Sequence, residues 1–186
     1  MVQSERARTR VALLDAARYR WLHGQRLDLN SLAVEHGISR ATAYRWFGSN
    51  DRLAGEVIAS MVARTFQDNR EATIGNGATR VVAILRAQLS ITKDSTAMKA
   101  YIERDPQTAL AVLTTHQYPV QRTLTQLIEG LLVEEVAREN LSLRIEPSTL
   151  AYALTRLMEA FAYADVVAGR STSLEEAVNV FASLLT

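Results

Sequence analysis

The chain has no cysteine and only three prolines in 186 residues. The first absence removes disulfides, thiolate metal sites and a thiol nucleophile together. The second leaves little to interrupt helices. Pro106, Pro119 and Pro147 all stand where a helix can begin, at the position where a missing N–H costs nothing. Lysine is nearly absent, since Lys93 and Lys99 are the only basic residues that are not arginine. Apolar runs such as LLV at 131–133 are far too short to span a bilayer. The charged amino terminus, MVQSERARTR, leads into no apolar stretch of the kind a secretory signal needs. The expectation is a cytoplasmic protein without a membrane.

What is present is apolar content of 48%, enough for a substantial core in one domain or in a small module joined to a larger one. The net charge is +1, unevenly placed. Residues 1–52 hold nine arginines against five acids, a net of +4, and residues 53–186 hold twelve basic against fifteen acidic residues, a net of −3. A basic head on a mildly acidic body suits binding of a polyanion by the head alone.

Apolar positions recur at helical spacing almost throughout and strand-like alternation is missing, which predicts an all-α chain of about ten helices. The first helix is expected over residues 6–23, with Val11, Leu14, Ala17, Trp21 and Leu22 inward and Gly24 as its stop. Asp28 caps a short second helix with Leu29, Leu32 and Ala33 inward, Gly37 breaks it, and Ser39 caps a third that ends at Phe47. Ser49 or Asn50 caps a long fourth helix over 51–70, followed by a loop at IGNG. Six more are expected beyond it, among them one over 147–168 and a last one opened by the capping box Ser173-x-x-Glu176. A division at residues 1–52 and 53–186 follows, with the head running on into the fourth helix.

Two short helices joined at Gly37 form the pattern of a helix-turn-helix. At about 100° per residue, Ala43 and Phe47 share one side of the third helix, while Ala41 and Arg45 point the opposite way. Small Ala41 permits close approach to a groove floor, and Arg45 can reach guanine edges or a phosphate. Thr42 and Tyr44 offer hydroxyls for phosphates, Trp46 an indole N–H, and Arg40 a cation near the cap. The arginines at 6, 8 and 10 are read as a solvated face in preference to a minor-groove arm.

The stretch from Leu13 to Leu53 also resembles the amino-terminal DNA-binding domain of TetR-type bacterial transcriptional regulators. The matching residues are Leu14-Asp15-Ala16-Ala17, Gly24, Leu32-Ala33, Gly37-Ile38-Ser39, Thr42, Tyr44, Phe47 and Leu53. Four features depart from that pattern: Trp21 for phenylalanine, one residue fewer between Gly24 and Leu32, Trp46 where histidine is common, and Asn50 where lysine is usual. Arg52, or the amide end of the fourth helix, can stand in for that lysine. The resemblance implies a homodimer that binds a double-stranded, palindromic DNA operator and answers a small-molecule effector. Repression is the family's commoner outcome, with activation or effector-independent binding as alternatives. A weaker likeness is to lactone-responsive members, carried by no motif.

By the same resemblance the last two long helices pair between subunits, through Leu150, Leu154, Leu157, Phe161, Val178, Phe181 and Leu185, the alternative being that one subunit buries these faces itself. The effector would lie among polar residues on apolar stripes: Gln88, His116 and Tyr118, with Tyr101, Arg122 and Glu159 as weaker candidates. For each of these a satisfied buried group or a surface position is the competing reading. No cofactor and no metal site is expected. A small helical enzyme fares poorly, since there is no G-x-S-x-G, no glycine-rich phosphate loop, and no ligand spacing among His23, His36 and His116.

Overall fold

In the computed structural model, residues 2–185 are described, with side chains from residue 6 onward. They form eleven helical segments and, among the described residues, no strand. These are α1 (Val2–Leu22), α2 (Leu29–Glu35), α3 (Arg40–Phe47), α4 (Asn50–Ala72), α5 (Gly77–Asp94), α6 (Thr96–Arg104), α7 (Pro106–Thr114), α8 (Pro119–Ala137), α9 (Pro147–Ala162), α10 (Ala164–Ala168) and α11 (Leu174–Leu184). No helix among the described residues is long and apolar enough to cross a membrane. Two compact units divide the chain: residues 1–60 with 96–120, and residues 61–95 with 121–186. Helices α6 and α7 therefore belong with the head, and α4 contributes to both units.

In the first unit, local capping fixes where each short helix starts. The Asp28 carboxylate accepts the N–H groups of Asn30 and Ser31, the Ser39 hydroxyl accepts that of Thr42, and the Ser49 hydroxyl accepts that of Arg52. Each cap contributes about 1 kcal/mol, which matters for helices of seven and eight residues that would not persist alone. Gly37 turns the chain between α2 and α3 at φ +63°, a conformation that side chains with a Cβ rarely adopt. The inward line of α1 is Leu13, Ala17 and Trp21, spaced by four. This corrects the expected stripe: Val11 and Leu22 are more than half exposed, because each lies 100° or more around the helix from that line.

The second unit is built on one apolar cluster, in which Phe66 of α4, Ile84 and Leu85 of α5, Ile128 and Leu131 of α8, Leu150 and Leu154 of α9, and Phe181 of α11 are almost fully buried. α11 packs on α5 and α9. The helix expected over 147–168 is instead interrupted at Tyr163, whose backbone leaves helical geometry (φ −118°, ψ 17°) while its side chain is buried. α5 is capped from another helix. Asn76 supplies no side-chain cap, and the buried Glu135 carboxylate of α8 accepts the Gly77 N–H at 2.7 Å and the Arg80 guanidinium at 2.7 Å. A Cβ on Gly77 would stand 2.5 Å from the Asn140 carbonyl oxygen, so only glycine fits there. Arg70, Arg80 and Arg138 surround the neighbouring Glu134.

Burial pushes the Glu135 carboxyl up, but the Gly77 N–H and Arg80 outweigh it and hold it below the ordinary carboxylate value. Glu135→Ala strands a buried guanidinium and an uncapped helix end, so it is expected to cost about 3–5 kcal/mol in chemical denaturation near neutral pH. A depressed carboxylate stabilises above its unfolded value, so that deficit should shrink as pH falls through the lowered native value. A deficit that is constant from pH 7 to pH 3 would refute this role.

Candidate functional site: an arginine-bearing recognition helix

α3 presents two unlike sides. Ala43 and Phe47 are buried to within 2% of completely, while Arg40, Ala41, Tyr44 and Arg45 are exposed and Thr42 and Trp46 half-buried. The inward pair follows from the 100° spacing, and α3 packs on α2. Arg40, Arg45 and Arg52 make no ion pair among the described residues, which leaves three uncompensated cations on or beside this helix. Arg10 is placed differently. It bridges to Glu56 at 2.6 Å and lies over the Phe47 ring, 4.9 Å from its centroid, so it braces the back of α3. Arg20 likewise pairs with Glu35 across α1 and α2.

Two of the candidate contact residues are already engaged within the head. The Thr42 hydroxyl lies 3.0 Å from the Ser39 hydroxyl, inside the cap of α3. Asn50 does not cap its own helix, a task Ser49 performs. Its side-chain oxygen accepts the Leu29 N–H at 2.9 Å and ties the start of α4 to the start of α2. Its amide nitrogen donates no hydrogen bond among the described residues. Trp21 is buried and meets the Tyr101 ring edge-on at 4.7 Å, so the larger ring fills a joint between α1 and α6. At the foot of α3 this unit also encloses a pocket of about 580 Å³, bordered by Trp21, Tyr44, Asn50, Asp51 and Tyr101. Its residues come from five separate stretches of sequence, and no motif signals it.

The candidate effector residues do not form one group. Gln88 is buried, and its oxygen accepts hydrogen bonds from Thr65 and Asn69, the arrangement of a satisfied core amide. His116 and Arg122 are exposed and Tyr118 is half-buried. Tyr101 is half-buried, with its hydroxyl buried and without a partner. Glu159 is 9% exposed, and neither carboxylate oxygen accepts a well-aligned hydrogen bond. The Arg156 guanidinium stands 2.7 Å from Oε2, close enough for an ion pair but poorly directed for a hydrogen bond. Burial, only partly offset by Arg156, raises this carboxyl to about 7. Nearby Tyr163 is raised as well, by burial and by the Glu159 charge.

The expected subunit contacts need correction. Leu150, Leu154, Phe181 and Leu185 are 0–3% exposed within the core of their own chain. They cannot also touch a second copy, because the apolar faces of α9 and α11 are used to close the second unit. Leu157, Phe161 and Val178 are half-buried, and on α9 the outward positions include Tyr152, Ala153 and Ala160.

A family model described as tetracyclin repressor-like, C-terminal domain, matches residues 76–186, more than half of the chain. The chain belongs to the TetR family of transcriptional regulators. The TetR fold extends over the whole molecule. The R. erythropolis transcriptional repressor QsdR, of the TetR family, aligns at 25% identity and a TM-score of 0.88, over 100% of this chain and 96% of that one. A Rhodococcus sp. RHA1 protein solved as a candidate transcriptional regulator aligns at 21% identity and a TM-score of 0.61, over 95% of each chain. Among curated protein sequences none matches. Within this TetR chain the α2–α3 pair is the DNA-binding helix-turn-helix. The narrower likeness to lactone-responsive members finds no residue to rest on.

Glu159 offers a direct check on its surroundings. A carboxyl raised in the folded state contributes stability below its unfolded value and loses it as pH rises through about 7. Glu159→Gln should therefore gain stability relative to the parent between pH 6 and 8, on the order of 1–3 kcal/mol. Thermal melts across that range test it, and parallel curves for the two proteins would rule it out.

Proposed function

We propose that the chain is a homodimeric repressor that holds a palindromic operator through α3 and releases it when a small-molecule effector binds the body. The observation that carries this reading is the outward ridge of α3, where Ala41 and the uncompensated Arg40 and Arg45 surround a helix anchored by Ala43 and Phe47. Arg45 takes the base-reading role, and Thr42, Tyr44 and Trp46 the phosphate-positioning roles. Arg52 serves the backbone beside them, with Asn50 acting through its amide nitrogen. In functional terms the DNA-binding domain is residues 1–52, and effector binding and dimerisation belong to 53–186, in the cytoplasm.

A single recognition helix gives little discrimination, whereas two held roughly 34–36 Å apart read successive major grooves. The dimer face assigned to α9 and α11 uses Ala153, Leu157, Ala160, Phe161 and Val178, where small side chains allow close helix approach. Effector control then works as a population shift: the ligand counts only as far as its affinity differs between the bound and released forms. Several kcal/mol of difference are needed to carry the protein from mostly bound to mostly released. Helix α4, continuous through residues 50–72, is the element that links the two ends. Glu159, a buried carboxyl short of donors, is the strongest of the effector contacts.

Selection of genomic DNA fragments at two salt concentrations tests the reading. Recovery of one short palindrome, with retention falling steeply as salt rises, is expected. Random fragments, or none, would sink it. Arg45→Ala should weaken binding to the recovered operator by about 1–3 kcal/mol and leave random DNA nearly unaffected. Equal losses on both would make Arg45 a phosphate contact. Ala160→Glu lies on the surface of the single chain, so it should fold normally yet sediment as a monomer. A variant that still sediments as a dimer moves the interface elsewhere.

A further inference from the structure

The pocket at the foot of α3 lies wholly within the first compact unit and is bordered by three aromatic rings, Trp21, Tyr44 and Tyr101. Four charged groups stand around them, and two of those are already occupied. Arg104 donates to the Gly24 carbonyl at 2.9 Å, and Asp105 accepts the Thr108 N–H at 3.1 Å as the cap of α7. Of the other two, Arg26 is exposed, while Asp51 is half-buried in the first turn of α4. The Tyr101 hydroxyl is buried beside this wall and has no partner. Burial above all, then Asp51, Tyr118 and Asp105, raises the Tyr101 phenol against the opposing pull of Arg104. Asp51 makes no side-chain hydrogen bond or ion pair among the described residues, which leaves its carboxylate open to the pocket, and ring faces attract cations in their own right.

We propose that this pocket is a second small-molecule site, in the DNA-binding head itself, that takes an organic cation with a flat apolar body. The charge is held by Asp51 and the body by the rings of Trp21, Tyr44 and Tyr101. The volume, about 580 Å³, falls within the range of about 300–1,000 Å³ that such ligands fill. Tyr44 and Asn50 border the pocket and, on the reading of α3 given above, also face DNA, so occupancy and operator binding are coupled by direct contact.

The test uses the full-length, ¹⁵N-labelled protein without DNA, with phenethylammonium as probe and 3-phenylpropionate as its anionic counterpart. The expected result is a saturable shift of the Trp21 indole N–H, with the Trp46 indole unmoved. Affinity should be at least tenfold weaker for the anion, and at least tenfold weaker for the cation in Asp51→Asn. Should Asp51→Asn fail to fold, Thr108→Met, which crowds the pocket rim, must weaken the cation instead. A Trp21 signal that does not move, equal or better binding of the anion, or indifference to both variants would overturn the site. Repeating the titration with operator bound separates the two readings. A head that binds no DNA removes the coupling and leaves the cation result standing, and DNA binding with unchanged cation affinity refutes the coupling alone.

Discussion

The second unit depends on a single carboxylate. α5 begins at a glycine in left-handed geometry, without a side-chain cap of its own, and its first N–H and its Arg80 both end on Glu135 of α8. A helix end carries about half a positive charge, so an anion placed against it is favoured. Here that anion is buried, and its cost is met only because N–H and guanidinium donors reach it together. The same contact fixes the register of α5 on α8, with the Asn140 carbonyl pressed where a Cβ on Gly77 would be. With α5 held, Ile84, Leu85 and Leu89 have one place to go, and α9 and α11 close over them.

The head relies on different physics, and that difference governs what the sequence made legible. Its stops and starts are local: Asp28, Ser39 and Ser49 cap within three residues of themselves, and Gly37 turns the chain by its own conformational freedom. Such signals are visible in a string of residues, as was the split of α3 into an inward Ala43–Phe47 side and an outward Arg45 side. The capping box at Ser173 and Glu176 was visible for the same reason. The Glu135–Gly77 contact spans 58 positions and left no trace in any window.

Periodicity reports that a helix has an apolar face but not what covers it. Leu150, Leu154, Phe181 and Leu185 carried the same pattern whether they met a second subunit or α5, and they meet the core of their own chain. Gln88 was singled out as a polar residue on an apolar stripe, and two donors from α4 already answer it. Asn50 looked like a phosphate contact by its place in a motif, yet half of its amide is spent on Leu29. Three-dimensional neighbours decide each of these cases, and none lies within a helical turn.

Glu135 and Glu159 make the contrast that bears most on function. Both are buried carboxyls in the same unit, but the first is held below its ordinary value by N–H and guanidinium donors, while the second is raised to about 7 with only a misdirected Arg156 beside it. A glutamine at 159 would spare the fold the cost of burying a charge and would give up only the ion pair with the exposed Arg156. A buried carboxyl whose oxygens accept no hydrogen bond carries a desolvation cost that Arg156 offsets only in part. On the proposed reading of Glu159 as an effector contact, that cost is recovered only when a donor arrives from outside, so it favours the occupied body over the empty one, and this differential affinity is what a population shift rests on.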